Sequence, residues 1–365
     1  MSVQSTLVRY DPQLEQPFPG EEELVREVVA AMLAANKQVA AKHRHGLRDA
    51  HAKSHGVLAG ELHVRADLPD HLAQGLFAEA RTYPVIVRLS TAPGDLRSDQ
   101  LPVQRGFAIK VLGVDGPRAD DDSLTTQDFL LVNHPTLPFG TIGEYAKLQK
   151  LLESQPRQSD QQLQLLGLGA RLTQGLLSRV GRPIPPAVET LAAANHHILG
   201  ETFHSMAALR YGDYVAKISA APASENVKAL TGKPVDPKLG ESALRELVAD
   251  FFGRNSAEYV LRAQLCADID RMPVEDASVL WREELSPHEI VATLHLPAQD
   301  PYSDERRRYA DDVLSFSPWH ALDAHRPLGS IMRSRKSAYS HSSDFRHRVN
   351  GVAQQEPVTI HDLPD

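Results

Sequence analysis

The chain predicts an α+β fold built on an antiparallel sheet or barrel, with helices inserted in its middle and set at both ends. Three observations carry this. Short apolar or alternating runs bounded by Gly, Pro, Asn and Asp recur in groups, as strands do. They follow one another through short turns, without the strand–helix alternation of a parallel sheet. The segments from Gly140 to Gly200 and after Pro301 instead place apolar residues at helical spacing.

In chain order, residues 1–20 read as a polar arm carrying Pro12, Pro17 and Pro19. A helix begins at Glu21, where three glutamates suit the positive end of the helix dipole. Leu24, Val28, Val29, Met32 and Leu33 share one face, the pattern runs to about Lys42, and Gly46 is the expected stop. A short strand follows at about 58–66, then a helix from Pro69 to Arg81 with Leu72, Leu76, Phe77 and Ala80 on one face. Strands are expected at 84–90, Arg105–Leu112 and Thr126–Val132, with a turn at Asp115-Gly116. The middle reads as three helical segments: one marked by Tyr145, Leu148, Leu151 and Leu152, a second at Leu163–Leu177 and a third at Pro186–Leu199. Strands return at Phe203–Arg210, Tyr214–Ser219, Tyr259–Ala267 and His288–Leu296, with a helix near Glu241–Phe252 between two pairs of them. The tail is helical again, broken by Pro318 and Pro327. The expected organisation is an arm at 1–20, one domain at 21–350 and a tail at 351–365.

Composition narrows the function. At 42% hydrophobic and 24% charged residues the chain is ordinary globular protein, and a net charge of -8 gives no basic surface for nucleic acid. The single cysteine, Cys266, rules out an internal disulfide and a multi-cysteine metal site. The N-terminus has no apolar signal region and no run approaches ~18 apolar residues, so the expectation is a cytoplasmic protein without membrane insertion.

The 17 histidines invite a metal reading. His51 and His55 are four apart, but no glutamate follows the first, and Gly56 and Gly60 argue against a helix there. Asp120, Asp121 and Asp122 lack the pattern of a calcium loop and read as a solvated loop. Gly167-Leu-Gly169 lacks the third glycine of a dinucleotide fingerprint, having Leu172 instead, and His196-His197 reads as a capping or core pair in an apolar helix.

The residues that combine into one chemistry are distant in sequence: Arg48 and His51, Arg88 and Ser90, Asn133, then Arg335, Tyr339 and Arg346. Tyr339 is one of nine tyrosines, but Arg335 lies four residues before it, on the same face of a helix. A guanidinium there favours the phenolate over a phenol that ordinarily ionises near pH ~10. Tyrosinate is one of the few protein anions that ligates haem iron.

Four segments in order resemble the haem-containing catalases: Arg48-x-x-His51-Ala-Lys, Arg88-Leu-Ser90-Thr91 with Gly94, Arg105-Gly-Phe-Ala-Ile-Lys110, and Arg335-x-x-x-Tyr339 with Arg346 seven beyond. The resemblance covers roughly residues 40–350. It implies a catalase-type antiparallel barrel holding haem b. Tyr339 would be the axial iron ligand kept ionised by Arg335, and His51 the acid–base group on the opposite face, oriented by Ser90. Arg48, Arg88 and Arg346 would pair with the propionates, and Asn133 would hydrogen-bond the bound peroxide. The departures also matter. The chain is short for the family, so no NADPH is expected. Ala50 replaces the usual valine before the histidine and widens the pocket entrance, and Ser-His follows Tyr339 where the family has Pro-Asp. Phe107, Phe129 and Phe139 are candidates for packing on the haem. The chain resembles the small catalase-related haem proteins more closely. The expected activity is peroxidase, oxidising a small organic donor with hydrogen peroxide or an organic hydroperoxide, with weak catalase activity. True catalase, fatty-acid hydroperoxide isomerase and a non-catalytic haem carrier or sensor are the alternatives, and a monomer or homodimer is expected.

Overall fold

The computed structural model describes residues 7–120, 122–153, 173 and 194–365. Nine strands form one sheet among these residues. They are β1 (Ser54–Val64), β2 (Thr82–Thr91), β3 (Arg105–Leu112), β4 (Thr126–Val132), β5 (Phe203–His204), β6 (Leu209–Tyr211), β7 (Tyr214–Pro222), β8 (Ala257–Leu265) and β9 (Glu289–Leu296). The order is β5-β4-β3-β2-β1-β9-β8-β7-β6, every pairing is antiparallel, and β5 also pairs with β7. That last pairing closes eight of the strands into a barrel and leaves β6 as a flap on β7. Closure removes the free sheet edges that would otherwise invite association. The α+β antiparallel barrel expected from the sequence is therefore the observed architecture.

Alternation along the strands assigns two faces. Val85, Val87 and Leu89 of β2 share the barrel core with Phe107, Ile109 and Val111 of β3 and with Phe129 and Leu131 of β4. The alternate residues point outward, and the register puts Arg88 opposite Ala108 and Ser90 opposite Gly106. The outer face of β2–β4 thus presents the polar residues of the strand motifs.

Among the described residues six helices surround the barrel: α1 (Glu21–His43), α2 (Ile142–Glu153), α3 (Glu225–Lys228), α4 (Ala243–Phe252), α5 (Asp304–Arg308) and α6 (Ser330–Asn350). A π-helical turn at Tyr309–Val313 continues α5. Gly329 at φ 91° precedes α6, and Gly351 at φ 65° ends it by donating to the His347 carbonyl. A side chain at Gly329 would put its Cβ 2.5 Å from the Val274 carbonyl oxygen. The free N–H groups at the start of α6 are met by acids: Gly329 donates to Glu15 at 2.9 Å and Ser330 to Glu275 at 2.9 Å. Arg333 gathers Glu15, Glu21 and Glu275, so the N-terminal segment, α1 and α6 are tied at one point.

The structure corrects several expectations. Helix α1 ends at Arg44, in the left-handed region at φ 54°, rather than at Gly46. The helix expected from Pro69 to Arg81 is a series of turns with one 3-10 turn at Gly75–Phe77. The reason is His325, whose Nε2 accepts the Leu76 N–H at 2.9 Å and takes that donor away from a helix. Gly75 has φ 55°, and a Cβ there would lie 2.5 Å from the same nitrogen. Leu72, Leu76 and Phe77 are still buried, but Ala80 is exposed. The strand expected at Phe203–Arg210 is split into β5 and β6 at Met206, which has φ 59°. Residues 194–197 are not helical, and His197 caps a 3-10 turn by accepting the Leu199 N–H at 3.2 Å. Helix α3 was not anticipated. The segment Leu163–Leu177, apart from Thr173, the earlier part of Pro186–Leu199, Gly167-Leu-Gly169 and Asp121 lie outside the described residues.

Burial pushes His325 and His197 down to about 4. A depressed folded-state pKa means the unfolded chain binds protons that the folded one refuses. The stability from these groups is complete above about pH 6.5 and is lost as pH falls through about 4. Urea midpoints should therefore fall between pH 7 and pH 4.5; an unchanged midpoint would contradict this account.

Candidate active site

One cavity lies between the outer face of β2–β4, the loop at 48–51 and helix α6. Arg48, His51, Arg88, Ser90, Arg335, Tyr339 and Arg346 all line it. Seven of the eight sequence-derived site residues are therefore brought together.

Asn133 is not among the lining residues. Its side-chain oxygen accepts the Arg105 N–H at 2.7 Å and its own N–H donates to the Arg105 carbonyl at 3.1 Å, closing the β3–β4 end. In this structure Asn133 fastens two strands.

His51 sits at φ 55°, a left-handed conformation that costs a non-glycine residue on the order of 1–3 kcal/mol. It is held there by its N–H bond to Ala92 at 2.9 Å and by Ala52 bonding Pro93 at 3.1 Å. Gly94 makes the crossing possible, since a Cβ at that position would lie 1.9 Å from the Asp49 carbonyl oxygen. The ring Nδ1 lies 3.0 Å from Ser90 Oγ. With Nδ1 so engaged, Nε2 is the nitrogen left for proton exchange. Burial, then the charges of Arg88, Arg335 and Arg48, push the imidazole down to about 3, so it is neutral at physiological pH.

On the α6 wall, Arg335 Nη2 donates to Tyr339 Oη at 2.5 Å, and its guanidinium carbon stands 4.9 Å from the tyrosine ring centroid. The four-residue spacing produces this directly, because α6 is helical throughout.

The third group is a set of arginines at the end nearest the π-helical turn. Arg48 donates to the Ala310 and Leu314 carbonyls, each at 2.6 Å. Arg346 donates to the Asp311 carbonyl at 2.5 Å and to Ser315 Oγ at 3.0 Å. Arg48 and Arg88 each approach Asp311 Oδ1 only to 3.8 Å. Asp312 is turned to His45 and Asn350. None of these three guanidiniums makes a carboxylate contact closer than 3.8 Å among the described residues, although the charges of Asp311 and Asp312 reach them. Burial and mutual repulsion push Arg346 down to about 8 and Arg88 to about 9. The buried Arg88 Nε and Asp311 Oδ1 have no hydrogen-bond partner. An orphan of this kind costs about 1–3 kcal/mol. The arginines make this end of the cavity suited to an anionic group, and the other lining is largely apolar.

Several residues of the site were not read from the sequence. Asp49 accepts the Ser342 hydroxyl at 2.7 Å, tying the His51 loop to α6, and burial raises its carboxyl above the usual range. Phe316, Met206 and Leu130 supply apolar wall. Of the three phenylalanines proposed for ligand packing, Phe107 lines the cavity. Phe129 stacks with Phe77 in the barrel core, and Phe139 packs on Tyr145. Arg105 and Lys110 of the third motif do not line the cavity. Lys110 is buried with Asp128 at 2.9 Å and Glu356 at 2.8 Å; burial pulls its pKa down, but the two carboxylates outweigh it and hold it above normal. His55, which the sequence did not favour as a metal ligand with His51, is buried on β1 beside Asp99 and Thr91. No cluster of three His, Cys, Asp or Glu side chains suited to a metal occurs among the described residues.

Gly106 fixes the His51–Ser90 pair from below. A Cβ there would lie 2.5 Å from His51 Nδ1 and 2.6 Å from Ser90 Oγ. Gly106→Ala should therefore displace the ring and release Nδ1, which imidazole ¹⁵N shifts of labelled protein would report. Unchanged His51 shifts would show that the glycine is not required for this geometry.

No family model matches the sequence, and no curated protein matches it. The structure does align with solved catalases. A fungal catalase matches with a TM-score of 0.56 at 16% identity, covering 85% of this chain and 62% of that one. A bacterial catalase gives 0.56 at 14%, covering 86% and 60%, and catalase A from Saccharomyces cerevisiae gives 0.55 at 16%, covering 86% and 65%. The chain spans 60–65% of the length of these proteins. At such identities the likeness is one of fold: the chain has the catalase fold, a closed antiparallel barrel with its helical wrapping.

Proposed function

We propose that the chain is a haem-dependent oxidoreductase acting on peroxides. The observation that carries this is the opposition, across one cavity, of a neutral His51 held by Ser90 and a Tyr339 held by Arg335, with a set of loosely paired arginines at one end. Haem b fits each part. Its two carboxylates would balance Arg48, Arg88 and Arg346, its body would lie against Phe316, Met206 and Leu130, and Tyr339 would ligate the iron. Bound haem would supply the electron storage that no side chain in the cavity provides.

The remaining work belongs to the chain. His51 Nε2 takes the proton of a hydroperoxide and gives it to the departing oxygen, so that water or an alcohol leaves as a neutral molecule. Ser90 keeps the ring from rotating. Low basicity prevents His51 from holding the proton between these two events, which favours fast return. Arg335 holds its positive charge beside the phenolic oxygen. The apolar wall limits bulk water. Ala50, small and exposed beside the cavity, leaves room for substituted hydroperoxides and favours peroxidase chemistry over disproportionation of hydrogen peroxide alone.

Titration with haemin should give a stoichiometric Soret band, and protein that refuses haemin would end this reading. His51→Ala should keep that band and lose on the order of 10²–10⁴-fold in peroxide turnover. Equal turnover in the variant would remove the acid–base role. Because His51 stays neutral down to about 3, turnover should be flat from pH 8 to about 5 and fall only in strong acid, where imidazolium forms; a fall centred near pH 6.5 would contradict the environment described for this ring. Dye oxidation driven by an organic hydroperoxide should exceed dioxygen release from hydrogen peroxide, and dominant dioxygen release would favour the true catalase reading.

A further inference from the structure

A second space, a solvent-open cleft of about 680 Å3, backs onto the first. Ser315, Phe316, Tyr339 and Ser343 line both. The two aromatic rings in that shared wall are therefore reached from the surface without passing His51. Trp319 adds a third ring to the cleft. Its indole N–H is spent on the Met332 carbonyl at 2.8 Å, so the ring contributes surface rather than a donor. The charges also select. Lys336 pairs with Asp120 at 2.8 Å, and Asp122 pairs with Arg118 at 2.9 Å. Asp344, exposed on α6, has no ion partner among the described residues. Lys336 already stands 5.1 Å from the Trp319 ring centroid and Lys110 5.4 Å from that of Phe316, so the rings offer apolar stacking surface, and it is the unpaired Asp344 charge that disfavours an anion and accepts a neutral or cationic aromatic ring.

We propose that this cleft is the binding site for a small aromatic amine that serves as reducing donor, so that peroxide and donor occupy opposite sides of the Tyr339–Phe316 wall. This rests on the peroxide reading above. Two amine molecules each lose one electron and one N–H proton, the protons passing to solvent at the open cleft. The electrons cross the shared wall. The O–O bond of the peroxide breaks, and the peroxide takes up two electrons and two protons to leave an alcohol and water. A donor that never enters the main cavity leaves Ala50 and His51 free for the hydroperoxide.

Ser340 is exposed and lines the cleft but not the main cavity. Ser340→Trp fills the cleft from the helix. Calorimetric titration of the full chain with p-phenylenediamine should show binding that Ser340→Trp removes. The same variant should lose at least about tenfold in kcat/KM for peroxide-driven oxidation of that amine while its dioxygen release and haemin titration stay unchanged. Asp344→Lys, a milder surface change, should shift preference from p-phenylenediamine towards 4-aminobenzoate. Binding or amine oxidation that survives Ser340→Trp, or an unchanged preference in Asp344→Lys, overturns the assignment. A chain that binds the amine in the cleft yet takes up no haemin overturns the donor role through the failure of the peroxide reading, while the loss of binding in Ser340→Trp still locates the site.

Discussion

The arrangement around Asp311 is the constraint on which the rest of the site depends. Arg48 comes from the loop before β1, Arg88 from β2, Arg346 from α6, and Asp311 from the π-helical turn. Four separate segments are thus gathered by charge and by arginine-to-carbonyl bonds, and the cavity is the space they leave. The guanidiniums are buried with only distant carboxylate contacts, and desolvating loosely paired charge is costly. Burial first, then the neighbouring guanidiniums, depress Arg88 and Arg346. An anion bound here would relieve that cost, which would couple its binding to the stability of this end of the molecule.

The two walls differ in how they are held. The His51 wall is held by strained backbone and close glycines: a positive φ at the histidine, Gly94 under Asp49 and Gly106 under the ring. The Tyr339 wall is a regular helix capped by acids and glycine at its ends. Asp49 and Ser342 join them, and Asn36 of α1 reaches the same hydroxyl at 3.4 Å. Small changes at the His51 loop are therefore expected to affect proton chemistry, whereas changes along α6 affect ligand retention.

Much of this was legible in the sequence because it depends on local spacing. The strands Arg105–Leu112 and Thr126–Val132 have the bounds their alternation predicts. Arg335 and Tyr339 meet because they are four apart on a helix. The parts that were not legible depend on distant partners. His325 captures the Leu76 N–H and prevents the helix that the apolar spacing of 69–81 favours. Asp311 and Phe316 carry no motif and enter the site only because the chain after α5 crosses the outer face of β2–β3. Asn133 is next to a recognisable strand motif, but its side chain serves Arg105 of the neighbouring strand instead of the cavity.

The central claim is that Tyr339, held by Arg335, is the atom-level anchor of the cavity's ligand. Soret-excited resonance Raman spectroscopy of haem-loaded protein carrying ring-deuterated tyrosine tests it most directly. The account predicts label-sensitive phenolate modes that disappear in Tyr339→Phe. A spectrum indifferent to the label, or one unchanged in that variant, would contradict it.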